Sequence, residues 1–251
     1  MKIFTSIAQW QSFRKAIQAG PLGFVPTMGA LHPGHLSLVK ASLAQNALTI
    51  VSIFINPKQF DEKGDFKAYP ADFTQDLEQL ENAGIDAVFM PEAAQIYADG
   101  YRFKVIESDF SQQLCGAHRP GHFDGVLTVV MRLLNLVRPD NAYFGEKDYQ
   151  QLQLIRDMAA AFFMPVKIVA CATVREADGL AMSSRNQYLD AGRRAQAASL
   201  YAALKRSRTA SEARQILTGK GFDVDYVEDI SGRRLAAARL GNTRLIDNVE
   251  I

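Results

Sequence analysis

Apolar runs alternate with stretches of helical periodicity over about the first 170 residues of the chain. The runs that predict strands are residues 23–27, 48–55, 87–90, 141–144 and 166–170. Helices are predicted between them over residues 33–46, 72–83, 123–137 and 149–163, with a polar loop at 56–70. Residues 48–55 are almost wholly apolar and rich in β-branched side chains, which is typical of a strand covered on both faces of a parallel sheet. The alternation therefore predicts an α/β fold with a Rossmann-like parallel sheet and helices on both faces.

The last third of the chain has a different character. Residues 190–220 are rich in Ala, Arg, Leu and Gln and favour helices, whereas residues 223–230 alternate and residues 243–251 look extended. We therefore predict two domains, a Rossmann-like domain over residues 1–175 and a smaller C-terminal α+β domain over residues 176–251.

The composition of the 251 residues narrows the functional classes without selecting one. The chain is 48% hydrophobic and 22% charged, which suffices for a sizeable core. Its formal charge of +1 excludes bulk polyanion binding, so no nucleic-acid partner is predicted. No apolar run approaches the ~20 residues of a membrane span, no signal peptide is evident, and Cys115 and Cys171 form no CxxC pair. We expect a cytoplasmic protein with no membrane partner.

The strongest candidate chemistry lies where the first predicted strand gives way to a helix, in PTMGALHPGH (26–35). Ligands of open parallel sheets bind beyond the carboxyl ends of the strands, and a helix N-terminus attracts anions. His32 and His35 are three positions apart, which predicts one shared face on the first helical turn, and Gly34 leaves room for a ligand. Two surface or metal-binding histidines are the alternative, although no third zinc ligand stands at an obvious local spacing. We favour phosphate binding.

Two further loops and two glutamines carry weaker signals. GEKD (145–148) offers Lys147 as a point charge for a polyphosphate, but on its own it is more typical of a solvated charge run. MSSR (182–185) combines two hydroxyls with a guanidinium, which suits either a phosphate clamp or a polar interdomain linker. Gln59 and Gln151 follow predicted strands. Such a pair of neutral amides suits a hydroxylated acid, although ordinary surface glutamines give the same pattern.

Several segments occur in an order that identifies a family. They are PTMGALHPGH (26–35), SIFINPKQF (52–60), AYPADF (68–73), residues 122–157, TVREADGLAMSSRNQYL (173–189) and RLIDN (244–248). The sequence closely resembles the pantothenate synthetase (pantoate–β-alanine ligase) family, within the nucleotidyltransferase superfamily that carries HIGH-type motifs. The resemblance implies ATP-dependent condensation of (R)-pantoate with β-alanine through an enzyme-bound pantoyl adenylate, giving pantothenate, AMP and pyrophosphate. It also implies Mg²⁺ with the ATP phosphates and a homodimer, and it leaves the protein ligands of Mg²⁺ unassigned.

The resemblance further implies roles for individual residues. The chemistry is carried by His32, His35, Lys147 and Arg185, with His35 as the proton donor. ATP is bound by these four together with Met28, Gly29, Ala30, Leu31, Pro33, Gly34, Gly145, Glu146, Asp148, Val174, Met182, Ser183 and Ser184. Pantoate is held by Gln59 and Gln151, β-alanine is contacted by Gln59, and Asn56 and Tyr69 are secondary wall residues. In the family the C-terminal domain acts as a lid, and its part after about residue 190 is shorter here than is usual.

Two other functions fit some of the same residues. A different adenylyl or cytidylyl transferase of the superfamily, acting on a phosphorylated alcohol, shares the HxGH loop but does not need the paired glutamines. A catalytically silent nucleotide-binding module is disfavoured by the intact set of His32, His35, Lys147 and Arg185. Pantoate-dependent exchange of pyrophosphate into ATP distinguishes both from the ligase.

Overall fold

The computed structural model describes residues 1–17, 20–60 and 69–251, which form two compact units. The larger unit comprises Met1–Leu31, His35–Gly145 and Gln150–Cys171, and the smaller unit comprises His32–Gly34, Glu146–Tyr149 and Ala172–Ile251. The assignment of residues 1–175 and 176–251 to two domains stays a prediction. Residues 61–68, which belong to the predicted polar loop and include Ala68 of the AYPADF motif, lie outside the described residues.

The larger unit is built on a six-stranded parallel sheet, which confirms the prediction from the alternating pattern. Its strands are β1 (Lys2–Phe4), β2 (Leu22–Thr27), β3 (Leu48–Ile53), β4 (Ala87–Phe89), β5 (Asn141–Gly145) and β6 (Lys167–Cys171). Their order is β1-β4-β3-β2-β5-β6, with parallel pairing throughout. β2 and β3 are almost wholly buried, which explains their continuous apolar runs. The sequence pattern does not reveal β1, because three residues are too few to show a period.

Helices connect the strands of the larger unit. Those that the structure describes are α1 (Ile7–Ala16), α2 (Pro33–Gln45), α3 (Phe73–Ala83), α4 (Ala93–Ile96), α5 (Cys115–His118), α6 (His122–Val137) and α7 (Tyr149–Ala161). α3 is preceded by Asp72, whose side chain accepts the Gln75 N–H, and it is followed by Gly84 in the left-handed conformation. α1, which the pattern did not predict, is anchored by fully buried Trp10, whose indole N–H donates to the Leu136 carbonyl of α6 at 2.8 Å.

The strand order places a topological switch between β2 and β5. From β2 the chain builds the sheet through β3 and β4 on one side, whereas β5 and β6 extend it on the other. Gly23 and Phe24 of β2 pair with Asn141 and Ala142 of β5. In open parallel sheets, ligands bind outside the carboxyl ends of the two strands at such a switch. The fold of the larger unit therefore favours ligand binding by the loops that follow β2 and β5.

The smaller unit combines helices with an antiparallel sheet, as predicted for the C-terminal part. Its elements are α8 (Ala191–Ala197), α9 (Ser199–Arg206), α10 (Ala210–Gly219), β7 (Asp223–Ile230), β8 (Arg233–Leu240) and β9 (Thr243–Glu250). β8 lies between β7 and β9, and Leu200, Leu204, Leu217 and Phe222 pack with the sheet in one hydrophobic core. The pattern did not reveal β8, because its alanine-rich centre has high helix propensity that burial between two strands overrides. None of the helices in the described part of the chain combines the length and the apolar character that a membrane span requires.

Candidate active site

A buried carboxylate on α3 holds the loop that follows β2. Asp76 accepts hydrogen bonds from the backbone N–H groups of Ala30 at 2.9 Å and Leu31 at 2.7 Å. The hydroxyl oxygen of Thr27 accepts the N–H of Gly29 at 3.2 Å. Burial raises the pKa of Asp76, and its two backbone hydrogen bonds oppose that shift. The backbone N–H groups of three consecutive residues of the predicted ATP loop, Gly29 to Leu31, are thus hydrogen-bonded to side chains before α2 begins.

A series of hydrogen bonds orients the side-chain amide of Gln59. Asn56 donates from Nδ2 to Gln59 Oε1 at 2.9 Å, and the Tyr97 hydroxyl donates to Asn56 Oδ1 at 2.5 Å. Burial raises the pKa of Tyr97 well above its usual value, so the hydroxyl keeps its proton. Gln59 Nε2 lies 3.1 Å from Met28 Sδ. Because a thioether is a weak acceptor, this amide group can exchange the sulphur for an oxygen of a ligand.

The backbone at Gln59 is fixed by α6. The 3-10 helix Pro57–Gln59 packs directly on Gly125, where an added Cβ atom would stand 2.1 Å from the carbonyl oxygen of Lys58. The Nδ1 atom of His122 lies 2.7 Å from the carbonyl oxygen of Gln59. A side chain at position 125 would therefore displace the segment that carries the candidate amide.

The larger unit brings three candidate side chains to one edge of its sheet. His35 is the third residue of α2, which follows β2, and Gln151 is the third residue of α7, which follows β5. Gln59 follows β3, the strand that pairs with β2. Gly145 is the last residue of β5. Because the carboxyl ends of parallel strands meet at the same edge, a candidate phosphate ligand and both candidate amides lie at that edge.

His32, in the smaller unit, precedes α2 and does not lie on its first turn. The prediction that His32 lies with His35 on the first helical turn is therefore wrong, because Pro33 is the first helical residue. His32 Nδ1 accepts the backbone N–H of Gly34 at 3.1 Å, as an N-cap side chain does. A Cβ atom at position 34 would stand 2.8 Å from His32 Cε1. A side chain at position 34 would therefore collide with this imidazole ring.

The charge state of His32 follows from its surroundings. Burial, and after it the positive charge of Lys147, lowers the pKa of His32 to about 4, while Asp148 opposes the shift. Since Nδ1 accepts a hydrogen bond, the proton of the neutral ring is on Nε2. At neutral pH His32 therefore offers a single N–H donor and carries no positive charge.

Lys147 lies in the 3-10 segment Glu146–Asp148, directly after β5. Only 20% of its side chain is exposed, and its ammonium group is 3.8 Å from the carboxylate of Asp148. Its charge contributes to the lowered pKa of His32. The smaller unit thus brings two of the predicted phosphate ligands, His32 and Lys147, into electrostatic contact.

The predicted second phosphate loop lies in the smaller unit and has an ordered backbone. The N–H of Met182 donates to the carbonyl of Val174 at 3.0 Å, which joins the two predicted nucleotide contacts. The hydroxyl of Ser183 caps the 3-10 helix Ser184–Tyr188 by accepting the Arg185 N–H at 3.3 Å. The binding roles of these residues stay predictions.

Sequence analysis did not identify two side chains that support the candidate loops, Asp76 and Asn248. Asp76 stands four positions before the buried Leu80, so both lie on the same face of α3. An acidic residue on a buried helix face indicates a structural role, and this was the signal in the sequence for Asp76. Asn248 belongs to the RLIDN motif, and its amide contacts the backbone of Glu146 and Lys147. The described residues contain no group of three or more His, Cys, Asp or Glu side chains that could hold a metal ion.

A parallel sheet with this switch point and polar side chains at its carboxyl edge defines a Rossmann-like α/β protein whose fold favours a ligand site beyond β2 and β5. The sequence matches the model of the pantoate-beta-alanine ligase family over residues 2–250. The chain belongs to the pantoate-beta-alanine ligase family.

Relatives with sequence similarity match along their whole length. A pantothenate synthetase from Bdellovibrio bacteriovorus is 51% identical over 250 residues, which cover 100% of this chain and 99% of the relative. One from Legionella pneumophila strain Lens is 47% identical over 249 residues, with 99% of both chains covered.

Solved structures give the same result. Pantothenate synthetase from Thermus thermophilus superposes with a TM-score of 0.93 at 39% identity, covering 100% of this chain and 99% of that one. Pantoate-beta-alanine ligase from Francisella tularensis, solved with beta-gamma ATP and beta-alanine, has a TM-score of 0.95 at 39% identity and coverages of 100% and 97%. The predicted α/β fold class is thus confirmed by relatives as well as by the strand order.

Proposed function

We propose that this chain condenses (R)-pantoate with β-alanine at the expense of ATP, giving pantothenate, AMP and pyrophosphate. Membership of the ligase family supports the reaction. The observation that carries the proposal is the position of His35, Gln59 and Gln151 after three adjacent strands of one parallel sheet. A donor for phosphate and two amides for a hydroxy acid then stand at the edge where such sheets bind ligands.

In the first step, an oxygen of the pantoate carboxylate attacks the α-phosphorus of ATP. The bond from that phosphorus to the bridging oxygen breaks, pyrophosphate leaves with the electron pair, and pantoyl adenylate forms. Two anions must approach in line, so the residues that bind them have to offset their repulsion. We assign this task to His35 as proton donor, to the Nε2–H of neutral His32, and to the cations Lys147 and Arg185.

In the second step, the amine of β-alanine attacks the acyl carbon of the adenylate. The bond from that carbon to the phosphate oxygen breaks, AMP leaves with the electron pair, and the amine gives up one proton to solvent. Gln59 and Gln151 hold pantoate, and Gln59 also contacts β-alanine. The ordered amide of Gln59, with Oε1 on Asn56 and Nε2 towards Met28, supports a role that needs one fixed orientation.

The remaining nucleotide contacts are proposed from the family motifs. They are Met28, Gly29, Ala30, Leu31, Pro33, Gly34, Gly145, Glu146, Asp148, Val174, Met182, Ser183 and Ser184. Mg²⁺ is proposed to arrive as MgATP, because Mg²⁺ retains water and phosphate oxygens readily and the described residues offer no cluster of acidic ligands.

A homodimer and a cytoplasmic location complete the proposal, and both rest on the family resemblance. Analytical ultracentrifugation of the purified protein tests the first. A monomer at all concentrations would contradict it.

The reaction is tested by isotope exchange between labelled pyrophosphate and ATP before any β-alanine is added. We expect exchange that requires (R)-pantoate, followed by equal amounts of AMP and pantothenate once β-alanine is supplied. Exchange without pantoate, or with a phosphorylated alcohol in its place, would indicate another nucleotidyltransferase. ATP binding without any turnover would indicate a silent nucleotide-binding module.

The assignment of pantoate is tested by Gln151→Ala. We expect a rise of about tenfold in the pantoate concentration needed for exchange, since a lost hydrogen bond costs about 1–1.5 kcal/mol. ATP binding by calorimetry should be unchanged. Gln153→Ala, two residues along the same helix, is the matched control, and an equal effect of both variants would contradict the assignment.

A further inference from the structure

Asn248 is a buried residue of β9 whose side chain makes three hydrogen bonds. Its Nδ2 donates to the carbonyl oxygens of Glu146 at 2.8 Å and Lys147 at 3.1 Å. Its Oδ1 accepts from Arg233 at 2.7 Å. An amide can donate two hydrogen bonds and accept another at the same time, whereas an aspartate of nearly the same size cannot donate at all. The side chain therefore matches the two backbone carbonyls in a way that its acidic analogue cannot.

Arg233 forms a second layer behind this contact. It donates to Glu146 Oε2 at 3.3 Å and to Glu250 Oε1 at 2.8 Å, and its guanidinium lies 5.0 Å from the centre of the Tyr149 ring. These partners fix the position of Arg233, and Arg233 in turn fixes which end of the Asn248 amide faces the carbonyls. The orientation of the amide is thus determined by an arginine that is itself held by two ion pairs, one to β9 and one to Glu146.

We infer that Asn248 is a positioning residue for Lys147, because it fixes the backbone of Glu146–Asp148 and thereby the place of the lysine ammonium group. The inference rests on the proposed function, in which Lys147 binds the ATP phosphates. It gives the RLIDN motif, which lies about a hundred positions along the chain from Lys147, a role in nucleotide binding.

His32 reports where the Lys147 ammonium group lies. Its pKa is lowered first by burial and then by Lys147, with Asp148 acting in the opposite direction. If the lysine moves away, the second cause weakens and the pKa of His32 rises, while burial continues to hold it below its usual value. This signal does not depend on catalysis, so it separates positioning of Lys147 from a general loss of activity.

The first experiment follows the His32 ring signals by NMR as a function of pH in wild type, Asn248→Ala and Lys147→Met. We expect Lys147→Met to raise the pKa of His32, and Asn248→Ala to raise it in the same direction. An unchanged pKa in folded Asn248→Ala, beside a raised one in Lys147→Met, would overturn the inference. An unchanged pKa in Lys147→Met would also overturn it, because the lysine would then not act on His32.

The second experiment measures pyrophosphate exchange in Asn248→Ala and Asn248→Asp. Both lose the two donors, and Asn248→Asp keeps size and the acceptor for Arg233, so it decides the question if Asn248→Ala does not fold. We expect the KM for ATP to rise about tenfold in each, with the KM for pantoate unchanged, since two buried carbonyls lose their partner. Asn248→Asp with the wild-type KM for ATP, or equal rises for both substrates, would overturn the inference.

Asn135→Ala is the matched control, because this exposed asparagine of α6 donates to the backbone carbonyl of Met131 within its own helix. It should leave both substrate KM values and the His32 titration unchanged. Failure of the proposed function would appear differently, as wild-type protein without pantoate-dependent exchange. The His32 titrations would still show whether Asn248 positions Lys147.

Discussion

The loop after β2 and the segment after β5 are each held by a buried side chain from a distant part of the sequence, and those two side chains have opposite hydrogen-bonding character. Asp76 supplies only acceptors and binds the backbone N–H groups of Ala30 and Leu31. Asn248 supplies two donors and binds two backbone carbonyl groups in Glu146–Asp148. Each piece of chain carries a candidate phosphate ligand, yet neither support could replace the other.

The difference depends on whether the backbone N–H groups or the backbone carbonyl groups of each segment need partners from elsewhere in the chain. The β2 loop runs into the N-terminus of α2, where N–H groups lack helical partners and need acceptors. The segment after β5 turns its carbonyl groups to the sheet of the smaller unit, so it needs donors. A loop that presents N–H groups thus needs an acceptor side chain such as Asp76, and a loop that presents carbonyl groups needs a donor such as Asn248. One consequence is that the first support titrates with pH and the second does not.

The largest expected effect on activity comes from removing the side chain of His35, which lies on the first turn of α2 just after the β2 loop. His35→Ala should lower pyrophosphate exchange by about 100- to 1,000-fold, because loss of one donor to a developing charge costs about 2.7–4 kcal/mol. Pantoate affinity, measured by calorimetry, should remain near that of wild type. The two measurements on His35→Ala show how much this residue contributes to the exchange rate, against which the effect of altering Asp76 can be judged.

The control for that experiment is His118→Ala, which changes an exposed histidine of α5. It should exchange pyrophosphate at the wild-type rate. If His35→Ala weakened pantoate binding as much as it slowed exchange, His35 would act in binding and not in the transition state.

The fold could be predicted because its signals are local. Strands such as Leu48–Ile53 are continuous apolar runs, and the ends of α3 are marked by Asp72 and Gly84. The candidate residues could be found for a related reason, since they follow strand ends in sequence. The start of α2 at residue 33 was predicted as well, but His32 was nevertheless placed on the first helical turn, which it precedes.

The roles of Asp76 and Asn248 in holding these loops could not be predicted from local sequence patterns. Asp76 reaches Leu31 across 45 positions of sequence, and Asn248 reaches Glu146 across 102. Such contacts depend on how helices and strands pack, so no periodicity of the chain encodes them. An acidic residue on a buried helix face and an asparagine inside a strand show only that some partner exists.

A smaller effect is expected when the first support is altered. Asp76→Asn keeps the size of the side chain but turns an N–H2 group towards one of the two backbone donors. Exchange should fall by about tenfold to 100-fold, since hydrogen bonds to charged groups contribute about 1.5–3 kcal/mol. Asp72→Asn is the control, because Asn caps a helix as well as Asp does. Equal activity of the two variants would contradict the proposed support by Asp76.

The smallest effect concerns pH and separates the two supports. Burial raises the pKa of Asp76 above 3.8, so between 3.8 and the raised value the folded protein binds more protons than the unfolded chain. The contribution of Asp76 to stability is therefore full below pH 3.8 and is lost as the pH rises through the raised pKa. Urea unfolding of wild type and Asp76→Asn from pH 3.5 upwards (roughly the range over which a carboxyl group titrates) should show wild type losing stability relative to the variant. A difference that does not change with pH would mean that Asp76 keeps its ordinary pKa, and the contrast with the uncharged Asn248 support would then disappear.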